Sequence, residues 1–350
     1  MIKLSINQCA NIIGAVGSHT SVLVEGPSGS GKSSMLKPLA ERFPTHRAVY
    51  IDCTQIDVGD IQLPAVDHAT GTSTFYPNAV FGVHSDQPVV LCLDEFGKAP
   101  RSVQNALLPV ILDRRVGHRP LPAGSIVFGT TNLSAEGVGD SLQMHVRNRM
   151  SVVTMRKPTA EEWVQWGIEN GVHHSVLAWV TEMPAVLADD DTVDNPDQNP
   201  YIWHRKEPGR KAFCTPRSLA AAGRVLSAEM QDDDAVRATL AGLIGPRSAA
   251  DLQVYVNLGN KLPAWQSILN DPTAAPLPDN PAAMMMVVHR AITRTTADIL
   301  DTVMVYIKRL PMELQAVFVN QLLRIRSKSA FAAMNAGFTR WVIVNNWMMR

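Results

Sequence analysis

The sequence predicts an α/β fold: a five-stranded parallel sheet flanked by helices, then an α-helical lid and a C-terminal helical region. Residues 21–43 join a β-branched strand to an amphipathic helix through a Gly- and Ser-rich loop. Residues 88–93 are apolar without alternation, which is typical of a strand buried on both faces of a parallel sheet. From Thr159 the pattern becomes helical, and Gly171 ends the first of these helices.

Composition limits the class of protein. At 350 residues the chain exceeds what one hydrophobic core supports, so at least two domains are expected. Lys plus Arg and Asp plus Glu both number 32, so no whole-chain field favours nucleic acid or an anionic membrane. The 4 cysteines form no CxxC pair, which argues against a zinc knuckle or disulfide framework. No apolar run approaches the ~18 residues that span a bilayer, and we predict a soluble, cytoplasmic protein.

The loop after the first strand carries the clearest motif. Residues 26–34 are GPSGSGKSS, which matches GxxxxGK[ST]. The glycines let backbone N–H groups point at phosphate oxygens, and the helix N-terminus adds a positive dipole. We expect Lys32 to bridge the β- and γ-phosphates of ATP and Ser33 to ligate Mg²⁺. A chance Gly-rich turn is the alternative, which the flanking strand and helix disfavour. The predicted nucleotide-binding residues are Gly26, Pro27, Ser28, Gly29, Ser30, Gly31, Lys32, Ser33 and Ser34.

Two adjacent carboxylates, Asp94 and Glu95, follow the buried strand. Bare carboxylates repel each other where little water screens them, so a cation is expected beside them. After a phosphate-binding loop, we expect Asp94 to hold Mg²⁺ and Glu95 to polarise the attacking water. The alternative is that Asp94 caps the next helix. A third strand ends at Thr131 and Asn132, and the Asn132 amide would position the water or touch the γ-phosphate.

The strands are predicted at residues 21–25, 48–53, 89–93, 126–130 and 152–155. We expect a nucleotide-binding core over 1–157, a helical lid with an acidic and a basic insert over 158–272, and a C-terminal helical region over 280–350. The long segment between Cys53 and Gln87 carries Phe75 and Tyr76, which would either contact a substrate in a pore or pin the loop to the core. Residues 114–125 predict a hairpin.

The set of motifs resembles the AAA+ ATPases. It consists of the phosphate-binding loop, the Asp-Glu strand, the helix at 99–115, the strand ending in Asn132, VRNRM at 146–150 and CTPRSL at 214–219. QNALLPVILDRRV at 104–116 and FGTTN at 128–132 resemble the MoxR-like and dynein-related branch, which includes the CbbQ-type proteins. The resemblance covers residues 11–226.

This resemblance implies further roles. Asn132 would be sensor 1, Arg217 would be sensor 2, and Arg149 would be the arginine finger that acts on a neighbouring subunit, with Arg147 as the fallback. It also implies a hexameric ring that remodels a protein client, and a von Willebrand factor A protein as a partner. The flank of Arg149 departs from the family, since no Asp precedes it and Met150 stands where an aromatic is common.

Two other classes stay open. One is a clamp-loader or helicase-like subunit, in which the basic stretch RIRSK at 324–328 could touch phosphates. The other is a nucleotide-bound structural subunit that rarely turns over, which the intact Glu95 argues against.

Overall fold

A computed structural model describes residues 2–133, 144–228 and 230–348 of the chain. The chain divides into two compact units, residues 1–158 and 159–350. The described part of the first unit contains strands β1 (Lys3–Leu4), β2 (Val22–Gly26), β3 (Arg47–Asp52), β4 (Gln62–Asp67), β5 (Thr72–Pro77), β6 (Val89–Asp94), β7 (Arg115–Val116), β8 (Arg119–Pro120), β9 (Ile126–Asn132) and β10 (Ser151–Met155), and helices α1 (Ile6–Val16), α2 (Leu36–Arg42), α3 (Val58–Ile61), α4 (Arg101–Leu112) and α5 (Met144–Arg147).

A six-stranded parallel sheet forms the centre of the first unit, in the order β1, β10, β2, β9, β6, β3. The five predicted strands are all present. The sixth, β1, pairs with β10 at the sheet edge, and its two residues are too few for a periodic pattern to reveal it. Because the strands are parallel, the carboxyl ends of β2, β9 and β6 meet at one edge of the sheet, which is where ligands bind in such folds.

Helices cover both faces of this sheet. On one face, Ile13 of α1 and Leu39 of α2 belong to the same buried cluster as Val24 and Phe128. On the other, α3 and α4 pack against the sheet in a second cluster that includes Leu107. All six residues of β6 are buried, as its lack of alternation predicts. Burying a Leu or Phe side chain contributes about 1.5–3 kcal/mol, so these clusters fix the positions of the strand ends.

Two β-hairpins extend from the first unit. The long irregular segment predicted between Cys53 and Gln87 contains the antiparallel pair β4–β5, and the predicted hairpin at 114–125 is the pair β7–β8. Phe75 and Tyr76 are 46% and 51% exposed, so neither pins the segment to the core. The turn of the β7–β8 hairpin lies close to the β4–β5 hairpin: a Cβ placed on Gly117 (φ 59°) would come within 2.7 Å of Gln62 Oε1.

The second unit is helical and has its own hydrophobic core. Trp163 and Trp179, both at most 2% exposed, are among its largest buried side chains. Trp341 belongs to the same core, which therefore runs from the first to the last helix of the unit. The helices in the described residues are α6 (Ala160–Glu169), α7 (His174–Glu182), α8 (Pro216–Ser227), α9 (Asp233–Ile244), α10 (Pro246–Gly259), α11 (Trp265–Asn270), α12 (Pro281–Arg294), α13 (Leu300–Ile307), α14 (Met312–Arg324), α15 (Arg326–Met334) and α16 (Ala336–Val344).

Several charged side chains of this unit form hydrogen bonds or ion pairs within the unit. Lys328 Nζ donates to the carbonyl oxygens of Ile292, Thr293 and Thr295 at the end of α12. Arg324 lies 3.3 Å from Glu161 Oε1. The basic stretch at 324–328 therefore presents less free positive charge than its sequence suggests. In the described residues, no helix has the length and apolar character needed to cross a bilayer.

Candidate nucleotide site

The phosphate-binding loop begins where β2 ends, at Gly26. Gly29 and Gly31 have φ values of 67° and 95°, in the left-handed region that residues with a Cβ rarely adopt. Ser30 Oγ donates to Pro27 O at 2.7 Å, and Ser34 Oγ donates to Gly31 O at 2.6 Å. These bonds fold the loop back on itself. A 3₁₀ turn at Ser33–Met35 then leads into α2, so the helix predicted from Lys32 begins with a tighter turn.

Lys32 and Asn132 meet at the carboxyl end of the sheet. Gly26 is the register partner of Asn132 on the neighbouring strand β9. Lys32 is 6% exposed, and its Nζ donates to the carbonyl oxygens of Gly26 and Pro27, both at 2.8 Å. It also donates to Asn132 Oδ1 at 2.7 Å. These three acceptors are neutral main-chain and amide oxygens, which phosphate oxygens can replace.

Asp94 is buried and held from two sides. Tyr50 donates its hydroxyl hydrogen to Asp94 Oδ2 at 2.7 Å, and Thr130 donates to Oδ1 at 2.5 Å. Desolvation and the hydrogen bond to Asp94 raise the pKa of Tyr50, so its phenol stays protonated and can donate. Helix α4 begins after Pro100 without a side-chain cap. The interpretation of Asp94 as a helix cap is therefore wrong.

Glu95 adopts an unusual backbone conformation at the strand end. Its φ and ψ are 52° and 32°, a left-handed conformation that costs a non-glycine residue on the order of 1 kcal/mol or more. Its N–H donates to Thr130 Oγ1 at 3.2 Å, so Thr130 fixes both acidic residues. Its carboxylate forms an ion pair with Lys98, with 2.9 Å between Nζ and Oε2. Strain of this kind is found where a side chain must point in one functional direction.

The oxygen atoms of two side chains near the strand ends are suitable ligands for Mg²⁺. Ser33 offers a hydroxyl and Asp94 a carboxylate, and Mg²⁺ prefers such hard oxygen ligands. Asp94 is 7% exposed, and no cationic side chain pairs with it in the described part of the chain. A buried carboxylate without a cation is costly, so a metal ion beside it fits. Ser33 and Asp94 are the residues that would hold the ion, and within the described residues no cluster of three or more His, Cys, Asp or Glu could hold a metal.

The three predicted arginines differ in their surroundings. Arg147 Nη2 lies 2.6 Å from Glu25 Oε1, beside the phosphate-binding loop. Arg149 is exposed and forms no ion pair with any residue that the structure describes. Arg217 is exposed in the first turn of α8 in the second unit, where Thr215 caps the helix. The roles assigned to the three side chains stay predictions.

The site also contains residues that the sequence did not single out. Tyr50 looks like an ordinary β-forming residue, and Thr130 like part of an apolar strand. Lys98 follows Glu95 at the i+3 spacing that brings side chains together in a helical turn, and this spacing could have revealed the pair. The contacts of Tyr50 and Thr130 depend on which strands are neighbours, and a single sequence does not show this.

One model of a known protein family matches part of the sequence. Residues 21–123 match the model described as AAA domain (dynein-related subfamily). No curated protein matches the chain. Among solved structures, NtrX from Brucella abortus in complex with ATP has 16% identity and a TM-score of 0.39, covering 99% of this chain and 68% of that one. The Thermotoga maritima RuvB Holliday junction branch migration motor has 15% identity and a TM-score of 0.36, covering 85% and 83%.

The matched region, residues 21–123, includes the phosphate-binding loop and the Asp94–Glu95 pair. On this match, that region of the chain is assigned to the AAA domain family, dynein-related subfamily.

Proposed function

We propose that this chain is a Mg²⁺-dependent ATPase that works as a ring and uses ATP to remodel a protein client, in the manner of the MoxR-like branch. The observation that carries the proposal is the meeting of Lys32 with Asn132 next to the Asp94–Glu95 strand end, because these groups come from the loop after β2 and from the ends of two other strands, β9 and β6. A single phosphate-binding loop would support nucleotide binding alone. The added acidic and amide groups support hydrolysis.

Each group has a defined task in this proposal. The loop N–H groups and Lys32 hold the phosphates of ATP. Mg²⁺, bound by Ser33 and Asp94, would neutralise charge on the phosphate oxygens. Glu95 would orient and polarise the attacking water, with Asn132 beside the γ-phosphate. Lys98 must release or share the Glu95 carboxylate before this step, so that the carboxylate can contact the water.

A ring is proposed from the different surroundings of two arginines in the first unit. Arg147 is engaged with Glu25 of its own chain, whereas the exposed Arg149 is available to a neighbour. An arginine supplied in trans stabilises charge on the transferring phosphoryl group. We therefore assign the finger to Arg149, and sensor 2 to Arg217 of the second unit. A hexamer and a von Willebrand factor A partner are the finer parts of this proposal.

The two adjacent hairpins are the proposed contact with the client. Both faces of β4–β5 carry exposed apolar side chains, with Leu63 opposite Tyr76 and Pro64 opposite Phe75. Leu63 is 61% exposed, and surface apolar groups of this kind are typical of sites that hold another chain. A protein client is favoured over nucleic acid, because Arg324 and Lys328 are already engaged within the second unit.

The proposal is tested by turnover with Glu95→Gln. We expect the variant to bind ATP while hydrolysing it at least ~100-fold more slowly, the scale of a lost general base. Glu313→Gln, an exposed residue on α14, is the matched control and should keep wild-type turnover. A Glu95→Gln enzyme that retains most of its turnover would contradict the proposal. Hydrolysis stimulated by DNA with a steep salt dependence would instead favour the clamp-loader or helicase class.

Capture with the same variant tests the client. An ATP-bound Glu95→Gln ring should retain its client, and proteins recovered with it but not with Lys32→Ala are candidates. Removing the apolar surface by Phe75→Ser and Tyr76→Ser should abolish this recovery without changing basal hydrolysis by more than about twofold. Unchanged recovery would place the client contact elsewhere.

A further inference from the structure

Tyr50 occupies an unusual position on the edge strand β3. Its side chain is 50% exposed, and a surface cavity of about 360 Å³ lies against it. The neighbouring residues Val49 and Ile51 are buried and anchor the strand. The Tyr50 ring therefore contributes little to the core. The hydroxyl group of Tyr50 forms a hydrogen bond, which it donates to Asp94 Oδ2 on the adjacent strand β6 at 2.7 Å.

Asp94 receives one neutral donor on each of its oxygens. Thr130 binds Oδ1 from strand β9, on the opposite side of β6 from Tyr50. Two donors on two strands fix the plane of the carboxylate. Because both donors are uncharged, they orient the group without neutralising it, whereas a Lys or Arg in either place would compete with a metal ion.

We propose that Tyr50 is a positioning residue for Mg²⁺, which acts by holding the Asp94 carboxylate from the sheet edge. The proposal rests on the function proposed above, since it needs Asp94 to bind the metal. Partners in the second coordination sphere usually change metal affinity about 10- to 100-fold when removed. Tyr50→Phe should therefore weaken Mg²⁺ binding while it leaves the phosphate-binding loop intact.

The test is a Mg²⁺ titration of the binding of a fluorescent ATP analogue. We expect Tyr50→Phe to raise the half-saturating Mg²⁺ concentration by about tenfold. Affinity for the analogue in EDTA should equal that of the wild type, which also shows that the variant is folded. Tyr201→Phe is the matched control, because it removes a Tyr–Asp hydrogen bond of the same 2.7 Å length from the second unit. Thr130→Val should shift the titration in the same direction as Tyr50→Phe.

The outcomes separate the two proposals. If wild-type binding depends on Mg²⁺ and Tyr50→Phe titrates like Tyr201→Phe, the role of Tyr50 is overturned and the proposed ATPase stands. If Tyr50→Phe loses affinity in EDTA as well, Tyr50 supports the fold and its positioning role is overturned. If wild-type binding of the analogue is independent of Mg²⁺, both proposals are contradicted, because both require Asp94 to bind the metal. A second readout is the ATPase rate, where excess Mg²⁺ should restore Tyr50→Phe to within about twofold of the wild type.

Discussion

The ammonium group of Lys32 lies 2.7 Å from the amide oxygen of Asn132, which joins the phosphate-binding loop to the end of the adjacent strand. The two residues are 100 positions apart in sequence. The contact places the group proposed to hold phosphate next to the group predicted to sense it. When ATP binds, phosphate oxygens would replace Asn132 Oδ1 on Lys32 and leave the amide to face the γ-phosphate or the water.

Lys32→Ala should abolish ATP binding. The loop would keep its backbone N–H groups but lose the cation that neutralises the β- and γ-phosphates. Lys37→Ala, on the exposed side of α2, is the control and should bind as the wild type does. Calorimetric titration with ATP measures both, and equal affinity for the two variants would overturn the assignment of the loop.

Arg149→Ala subunits should bind ATP normally and hydrolyse it poorly, because the missing charge is proposed to act in the neighbour's site. Mixed with Glu95→Gln subunits, they should regain activity, since some interfaces then pair an intact Glu95 with an intact Arg149. An arginine finger is worth roughly 10³ to 10⁵ in rate, so even a minority of rebuilt sites should exceed both inactive parents.

The control for this experiment is Arg326→Ala, an exposed arginine on α15, which should remain fully active alone. Co-assembly is established first by size-exclusion chromatography of differently tagged subunits. If co-assembled mixtures stay inactive, Arg149 is not the finger, and the same mixing is repeated with Arg147→Ala.

The second unit should lose stability in mild acid. Burial lowers the pKa of His173 to about 4, that of His174 to about 3, and that of His289 to about 4, and the charge of Arg294 adds to the effect on the first two. Unfolded histidine titrates near pKa 6.5, so the unfolded state binds more protons below that pH. The free energy of unfolding should fall as pH drops from about 6.5 towards 4, by roughly 3 kcal/mol for His289 alone.

This effect can be measured in the whole protein. All 7 tryptophans lie beyond residue 158, so tryptophan fluorescence during urea unfolding reports on the second unit. His289→Met should flatten the pH dependence, because both ring nitrogens of His289 are buried without a hydrogen bond. His118→Met, on an exposed hairpin, should leave it unchanged. An unaltered pH dependence in His289→Met would show that His289 does not titrate on unfolding.

The sequence predicted those elements that are determined by residues close together in the chain. The motif at 26–34, the unbroken apolar character of β6 and the polar residues at the end of β9 all lie within short windows, and the structure has each of them at the expected place. Tyr50, Thr130 and the β4–β5 hairpin were missed for a different reason. Their roles follow from which strands are neighbours and how far a loop extends, and both depend on contacts between distant residues.

The ion pair between Glu25 and Arg147 links the end of strand β2 to the segment that carries Arg149. Glu25 directly precedes the phosphate-binding loop, and Arg147 lies two residues before Arg149. A displacement of the loop that moves Glu25 would therefore pull on the segment that carries Arg149. In the proposed ring, this ion pair would connect the loop of one subunit to the arginine that is proposed to act on the next.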